Sequence, residues 1–247
     1  MAHQAELPNP FSTRRIRPGA VTYQFVDARE HLEVVRACRR PANLQIIGPH
    51  GSGKTTLMKF CLANLKVSGW DVHAFRTHDL AHKLTWSAVR SLKPARRTVI
   101  AVDGYETIGW FKRKRLEWFC RHREWRLMVT GHRDLGMPCG FVTKTHPLLL
   151  RQVVHRVLLQ WCHEVEMDAS RAVWLLNLLP DLNGLFEELD GNLRDVLFAL
   201  YDWFESKRPV HSDIKACANG INGTNVAVTS NLPMLRGSHD PGSNGVS

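Results

Sequence analysis

The sequence predicts an α/β protein: a parallel sheet flanked by helices, followed by a C-terminal all-helical lobe and a disordered tail. Short apolar runs alternate with helix-length amphipathic stretches as far as about residue 146, the pattern of a parallel sheet with helical crossovers. One of those runs, Thr98-Val-Ile-Ala-Val102, is apolar enough to be buried on both faces, as strands of parallel sheets are. Beyond Pro147 only helical patterns follow. From Ser212 onward Gly, Ser, Asn, Thr and Pro supply 19 of the 36 remaining residues, too polar and flexible a composition to form a core.

Taken in order, residues 1–20 carry Pro8, Pro10, Pro18 and Gly19 among Arg14, Arg15 and Arg17, and read as an extended arm outside the core. Residues 21–146 form the α/β core. Val21–Val26 is a short strand or a strap. Asp27, with Glu30 three residues on, opens a helix that stops before Pro41. An arm and helix in this place cover a base, with Tyr23 or Phe25 stacking on it or packing in the core. Asn43–Ile47 is a buried strand, and Thr55–Leu65 a helix. Trp70–Phe75 is a second strand, a helix follows at Asp79–Leu92, and Thr98–Val102 is the third strand. Gly109–Glu124 is helical and Arg126–Thr130 is the fourth strand. A fifth lies near Phe141–Thr145. Residues 147–206 make a helical lid from Leu148–Cys162, Asp168–Leu179 and Leu193–Glu205, and residues 207–247 the disordered tail.

Composition narrows the function classes. No run of 18 apolar residues exists to cross a membrane, and Met1–Pro8 lacks the basic and apolar regions of a signal peptide, so the reading is cytoplasmic. The six cysteines (38, 61, 120, 139, 162, 217) show no C-x-x-C spacing and read as reduced thiols. The net charge of +10 is unevenly spread. Residues 81–133 hold thirteen Lys/Arg against four Asp/Glu, a balance of +9, and residues 151–205 hold four against ten, a balance of −6. A basic body suits a polyanionic ligand. His78-x-x-x-His82 has the spacing of two metal ligands on a helix but no third ligand nearby.

The chemistry concentrates in Gly48-Pro49-His50-Gly51-Ser52-Gly53-Lys54-Thr55-Thr56, between a strand and a helix. This is the phosphate-cradling pattern G-x-x-x-x-G-K-[ST]. Its glycines let backbone N–H groups converge on an anion at the positive end of a helix dipole. Lys54 reaches the outer phosphates and the Thr55 hydroxyl ligates Mg²⁺, so the expected cofactors are ATP and Mg²⁺. A strand ending in Asp103 delivers a second oxygen ligand, usually through water. Glu106 is the nearest carboxylate able to polarise an attacking water; alternatively it caps the next helix. Thr130 or His132, at the end of the fourth strand, holds the water or senses the γ-phosphate, or else caps a turn. Arg194 stands in the first turn of a helix, where the dipole prefers anions, and so invites a bound phosphate. The candidate catalytic set is Lys54, Glu106, Thr130 and Arg194. Lys112, Arg113, Lys114 and Arg115, interleaved with aromatics, are either a solvated basic face or a nucleic-acid surface. Phe111, Trp118 and Phe119 on the same helix read as core contacts against the sheet.

The order Gly48–Thr55, Val99–Asp103, Val129–Thr130 and Gly191-Asn-Leu-Arg194 resembles the AAA+ ATPases and their relatives in the additional-strand class of P-loop proteins. Over residues 20–206 these segments look like Walker A, Walker B, sensor 1 and sensor 2. The arm Asn9-Pro-Phe-Ser-Thr-Arg and the stretch Thr130-Gly-His-Arg-Asp-Leu-Gly-Met-Pro138 are similar to those of small uncharacterised bacterial P-loop ATPases. The resemblance implies ATP binding and, for ring-forming relatives, a homo-oligomer with an arginine finger acting in trans; Arg133, Arg151 and Arg156 are the candidates. The chain departs from the pattern in spacing its acids as Asp-x-x-Glu. The leading expectation is Mg-dependent ATP hydrolysis that moves the lid against the core and acts on a partner. A P-loop small-molecule kinase and a nucleotide-gated binding module with little turnover are the alternatives.

Overall fold

The computed structural model describes residues 7–39, 43–77, 84–93 and 97–207. The expected tail, the His78/His82 pair, Cys217 and the start of the helix expected at Asp79–Leu92 lie outside the described residues. Within them the chain runs α1 (Thr13–Ile16), α2 (Ala28–Arg39), β1 (Leu44–Ile47), α3 (Lys54–Val67), β2 (Asp71–Arg76), α4 (Trp86–Arg90) and β3 (Thr98–Asp103). A 3-10 turn (Tyr105–Thr107) leads into α5 (Trp110–His122), then β4 (Arg126–Gly131), β5 (Cys139–Val142), α6 (Pro147–Glu164), α7 (Ser170–Leu178), α8 (Leu182–Glu188) and α9 (Leu193–Lys207).

The five strands form one parallel sheet in the order β2-β3-β4-β1-β5. Alternating side chains divide its central strands between two cores, as the pleat requires. Val99 and Ala101 of β3 face the cluster of α2 and α3, with Val34, Leu57, Cys61 and Leu65. Ile100 and Val102 face the opposite cluster of α4 and α5, with Val89, Leu116, Phe119 and Cys120. Helices thus cover both faces, and β4 lies between the strand that precedes the glycine loop and the strand that ends in Asp103. Arg126, buried at the start of β4, donates to the carbonyls of Ala37 (3.1 Å) and Cys38, closing the C-terminal end of α2.

A third core belongs to the helical lobe, where α6, α7, α8 and α9 enclose Trp161, Val157, Leu158, Val196 and Leu200. Residues 7–20 differ from the expected extended arm. Phe11 is fully buried in this lobe core, and Arg15 of α1, itself 8% exposed, pairs with Glu164 at 2.5 Å. Asn9 donates to the Tyr201 carbonyl (3.1 Å) and to Glu205 (2.9 Å), while the Trp161 indole donates to the Pro8 carbonyl (2.6 Å). The prolines therefore fix a docked strap: a residue lacking an N–H still offers a carbonyl to the lobe.

Other expectations change in detail. Val21–Val26 is a strap without strand pairing. Its neighbour α2 has the expected start, with the Glu30 N–H on Asp27 (2.8 Å) and the Glu30 carboxylate on the Val26 N–H (2.6 Å). The helix before β3 is described only from Trp86, capped by the Thr85 hydroxyl on Ala88 N–H. α8 is an additional helix, begun by Asp181 accepting from Asn183 N–H. Phe111 and Trp118 are not core contacts: they are 81% and 62% exposed, whereas Phe119 is buried. Seven residues apart, they share a line along α5, but that line lies about 100° around the helix from Phe119. No helix among the described residues is long and apolar enough to cross a membrane.

Candidate functional site

Strand register decides which side chains meet. Ile46 pairs with Thr130 and Ile47 with Gly131, while Val102 pairs with Val129, so Asp103, Thr130 and Gly48 emerge side by side at the carboxyl ends of β3, β4 and β1. Open α/β sheets take their ligands at that end. A cavity of about 850 Å³ lies there. Its floor is residues 50–56 with Asp103, Gly104, Glu106, Thr130 and His132; the strap contributes Ile16–Gly19 and Val21–Gln24, and the lobe Leu149, Val153, Leu193, Arg194 and Leu197.

Gly48, Pro49, His50, Gly51, Ser52 and Gly53 form the loop before α3, which begins at Lys54. Two glycines are required by close approach. A Cβ at Gly48 would stand 2.2 Å from the Thr143 hydroxyl, and one at Gly51, whose φ is +66°, would stand 1.7 Å from the Asn192 side-chain oxygen. Ser52 is buried and shares a 2.7 Å hydrogen bond with Thr143, whose hydroxyl also reaches the Ile47 carbonyl. The loop is thereby held from both sides, by the residue after β5 and by the start of α9.

Lys54 Nζ donates to the carbonyls of Gly48 (2.8 Å) and Pro49 (2.6 Å) and lies 3.1 Å from His132 Nδ1. Burial pulls its pKa below the ordinary lysine value; Glu106 and Asp103 oppose the shift and Arg194 adds to it. The Thr55 hydroxyl lies 3.1 and 2.9 Å from the two Asp103 carboxylate oxygens and donates to them. Thr130 donates to Asp103 Oδ1 at 2.6 Å and accepts the Gly104 N–H at 2.9 Å. Asp103 is therefore the shared acceptor of two hydroxyls. Thr56, the last residue of the motif, lines the same cavity.

Glu106 sits in the 3-10 turn, ahead of Gly109, the N-cap of α5. Its Oε1 lies 3.4 Å from His132 Nε2, and its Oε2 is buried with no hydrogen-bond partner among the described residues. His132 stacks on His50 at 3.7 Å between ring centroids. Burial, and then the charges of Lys54 and His50, hold its pKa below 6.5, while Glu106 opposes them. Its Nδ1 lies within reach of both Lys54 Nζ and the Gly48 carbonyl (3.2 Å): protonated at Nε2 the ring accepts from Lys54 and directs its N–H at Glu106, and protonated at Nδ1 it donates to Gly48.

The segment bearing His132 is fixed by an unexpected residue. Gln45, fully buried in β1, donates to Asp134 (2.6 Å) and to the Met137 carbonyl (2.6 Å), and accepts the Leu135 N–H (2.9 Å). A glutamine in an otherwise apolar strand is the signal in the sequence that an adjacent loop is bound there.

Arg194 lines the cavity from α9; its N–H donates to the Asn192 side chain (3.1 Å), which in turn donates to Asp195 (2.6 Å). Asn192 is thus the contact between lobe and glycine loop, and the sequence gives no sign of it beyond lying beside Arg194. Arg17 of the strap and Arg76 at the end of β2 also line the cavity. Lys112, Arg113, Lys114 and Arg115 lie away from it on α5, and Arg133, Arg151 and Arg156 are exposed and do not line it. Among the described residues there is no cluster of three or more His, Cys, Asp or Glu side chains able to hold a metal. The Thr55 hydroxyl and Asp103 carboxylate are hard oxygen donors of the kind magnesium takes alongside water and phosphate.

A scan against protein-family models finds no match, and a search of curated proteins finds none. Among solved structures, the chain is similar to the replication initiator DnaA bound to AMPPCP and single-stranded DNA, at 14% identity over 77% of this chain and 67% of that one, with a TM-score of 0.40.

Proposed function

We propose that the cavity binds Mg-ATP and that the protein hydrolyses it. The observation that carries this reading is the convergence on one cavity of four groups: the glycine loop with Lys54, the Thr55–Asp103 hydroxyl–carboxylate pair, Glu106, whose Oε2 has no partner among the described residues, and Arg194 from the lobe. Phosphates lie against the loop N–H groups and Lys54, which exchanges the Gly48 and Pro49 carbonyls for anionic oxygens. Thr55 and Asp103 would hold Mg²⁺, which would supply positive charge to offset that of the phosphates. Thr130 positions Asp103 for that task. The apolar end of the cavity, with Ile16, Val21, Tyr23, Leu149 and Leu197, accommodates the flat base.

Glu106 orients the attacking water and accepts its proton. One carboxylate oxygen, Oε1, lies 3.4 Å from His132 Nε2, whereas Oε2 is buried and has no partner among the described residues. Arg194 stabilises charge on the terminal phosphate from the lobe side, which makes the lobe's position depend on what the loop holds.

The test compares the parent with Lys54→Ala and Glu106→Gln by calorimetric Mg-ATP titration and phosphate release. Losing Lys54 removes charge-assisted hydrogen bonds of about 1.5–3 kcal/mol, weakening binding about ten- to hundredfold. Glu106→Gln retains binding while turnover falls about 10²- to 10⁴-fold. Parental affinity in Lys54→Ala would remove the site; parental turnover in Glu106→Gln would move the base elsewhere.

A further inference from the structure

Helix α5 presents large aromatic side chains to solvent. Trp110, Phe111 and Trp118 are 58%, 81% and 62% exposed, although the helix has a well-packed inner side in Leu116, Phe119 and Cys120. Phe111 and Trp118 stand seven residues apart on one line, about 10 Å along the axis. Trp118 stacks parallel on His122 (5.4 Å, 3° between planes), which fixes the orientation of its ring. Isolated exposed hydrophobics need no explanation; three large aromatics on one short helix do.

The charges around these rings have one sign. Residues 110–123 contain six Lys/Arg and a single acid, Glu117. On the helical wheel Lys114 and Arg121 flank the Phe111–Trp118 line on one side, and Arg115 and Lys112 on the other. The acid is turned inward: the Glu117 side chain is 18% exposed and stands 3.3 Å from the buried Tyr105 hydroxyl, whereas its partner Lys114 is 56% exposed. The Arg115 guanidinium rests 3.8 Å over the Trp86 ring, fixing one cation at the border of the face.

From this juxtaposition we infer that the outer face of α5 is a binding surface for single-stranded nucleic acid, with Phe111 and Trp118 stacking on unpaired bases and Lys112, Lys114 and Arg121 holding the phosphates. Exposed ring faces inside a cationic field are the two components such binding needs: stacking that tolerates any base, and charge that follows the backbone. A duplex uses only the cations, because its base faces are already stacked. A protein partner uses the aromatics and arginines as well, but not Lys112 and Lys114, since lysine is depleted in protein interfaces. This face binds whether or not the cavity holds a nucleotide. The two regions meet at Tyr105, next to Glu106, whose hydroxyl donates to the Arg113 carbonyl of α5 (3.2 Å).

The test is fluorescence anisotropy with a labelled, mixed-sequence single strand of about 20 nucleotides, without ATP, over a salt series, beside the corresponding duplex. The parent binds the single strand more tightly than the duplex, and affinity falls as salt rises. Phe111→Ala and Trp118→Ala, both at exposed positions, each weaken single-strand binding about five- to hundredfold and leave the salt slope unchanged. Lys112→Gln with Lys114→Gln lowers the slope by about 0.7 for each phosphate no longer neutralised. Equal affinity for duplex, or aromatic variants that bind like the parent, would overturn the stacking surface. Absence of salt-dependent binding would overturn it as well, and loss of self-association in Phe111→Ala without nucleic-acid binding would assign the face to a protein interface. Circular dichroism of each variant guards against misfolding, and failure of this assay leaves the Lys54 test of the nucleotide site standing.

Discussion

Asp103 owes its position to two hydroxyls from different elements: Thr55 in the first turn of α3 and Thr130 at the end of β4. Charge-assisted hydrogen bonds of this kind hold a carboxylate in one rotamer before any cation arrives. His132 lies beside Glu106 and is itself titratable. Its pKa is held below 6.5 by burial and by Lys54 and His50, so the folded site keeps the imidazole neutral where a free histidine would begin to protonate. The unfolded chain binds the proton more readily, so the neutral arrangement is fully present above pH 6.5 and is lost as pH falls through the depressed value. A protonated ring can no longer accept Lys54 at Nδ1. Steady-state ATP turnover should therefore be flat from about pH 7 to 8 and fall on acidification, with an apparent midpoint below that of free histidine. His132→Gln, which keeps a donor and an acceptor without titrating, should remove most of that acid limb. A limb that persists unchanged in the variant assigns it to another group.

Elements were legible where burial left a plain mark. β3 and most of β1 and β4 are apolar because both faces of their sheet are covered, and the glycine loop is legible because it tolerates few residue types. α8 was hidden by Pro180 before it and Gly184 within it; Asp181 starts the helix, and its carboxylate oxygen would lie 3.0 Å from a Cβ at Gly184. The strap was hidden for a related reason, since a proline-rich segment docked through its carbonyls has no periodicity to read. On α5 the pattern misled: the aromatic line at Phe111 and Trp118 resembles a core stripe, and only the packing of Leu116, Phe119 and Cys120 reveals which arc is inside. Two substitutions separate these cases. Phe11→Ala removes a fully buried ring from the lobe core and should cost about 3–5 kcal/mol by urea unfolding, whereas Phe111→Ala should stay within about 0.5 kcal/mol of the parent. Similar values for both would mean that the strap is not part of the lobe core.

At the scale of the whole molecule, the cavity is assembled from three distant parts of the chain: the strap at Ile16–Gln24, the sheet ends from His50 to His132, and the lobe at Leu149–Leu197. Lys54, Thr55, Asp103 and Thr130 could be read in advance because they lie in or beside motifs of fixed spacing. Arg17, Arg76 and Asn192 could not, because each arrives through tertiary packing that no local spacing encodes. This construction has a thermodynamic consequence. A ligand that touches all three parts stabilises them together, by about 2.7 kcal/mol at a hundred times its dissociation constant. For a chain of this size that is a rise in melting temperature of about 5–10 °C. Differential scanning calorimetry with Mg-ATP should therefore show one transition moving upward as a unit. Arg194→Ala, which leaves the glycine loop intact but withdraws the lobe's charge from the cavity, should reduce the shift when compared at the same ATP concentration. Should the ligand instead split the melt, raising a sheet transition while the lobe unfolds at its original temperature, nucleotide would be held by the core alone. Arg194 would then have no part in binding, and a lobe that answers to the phosphate would have to be abandoned.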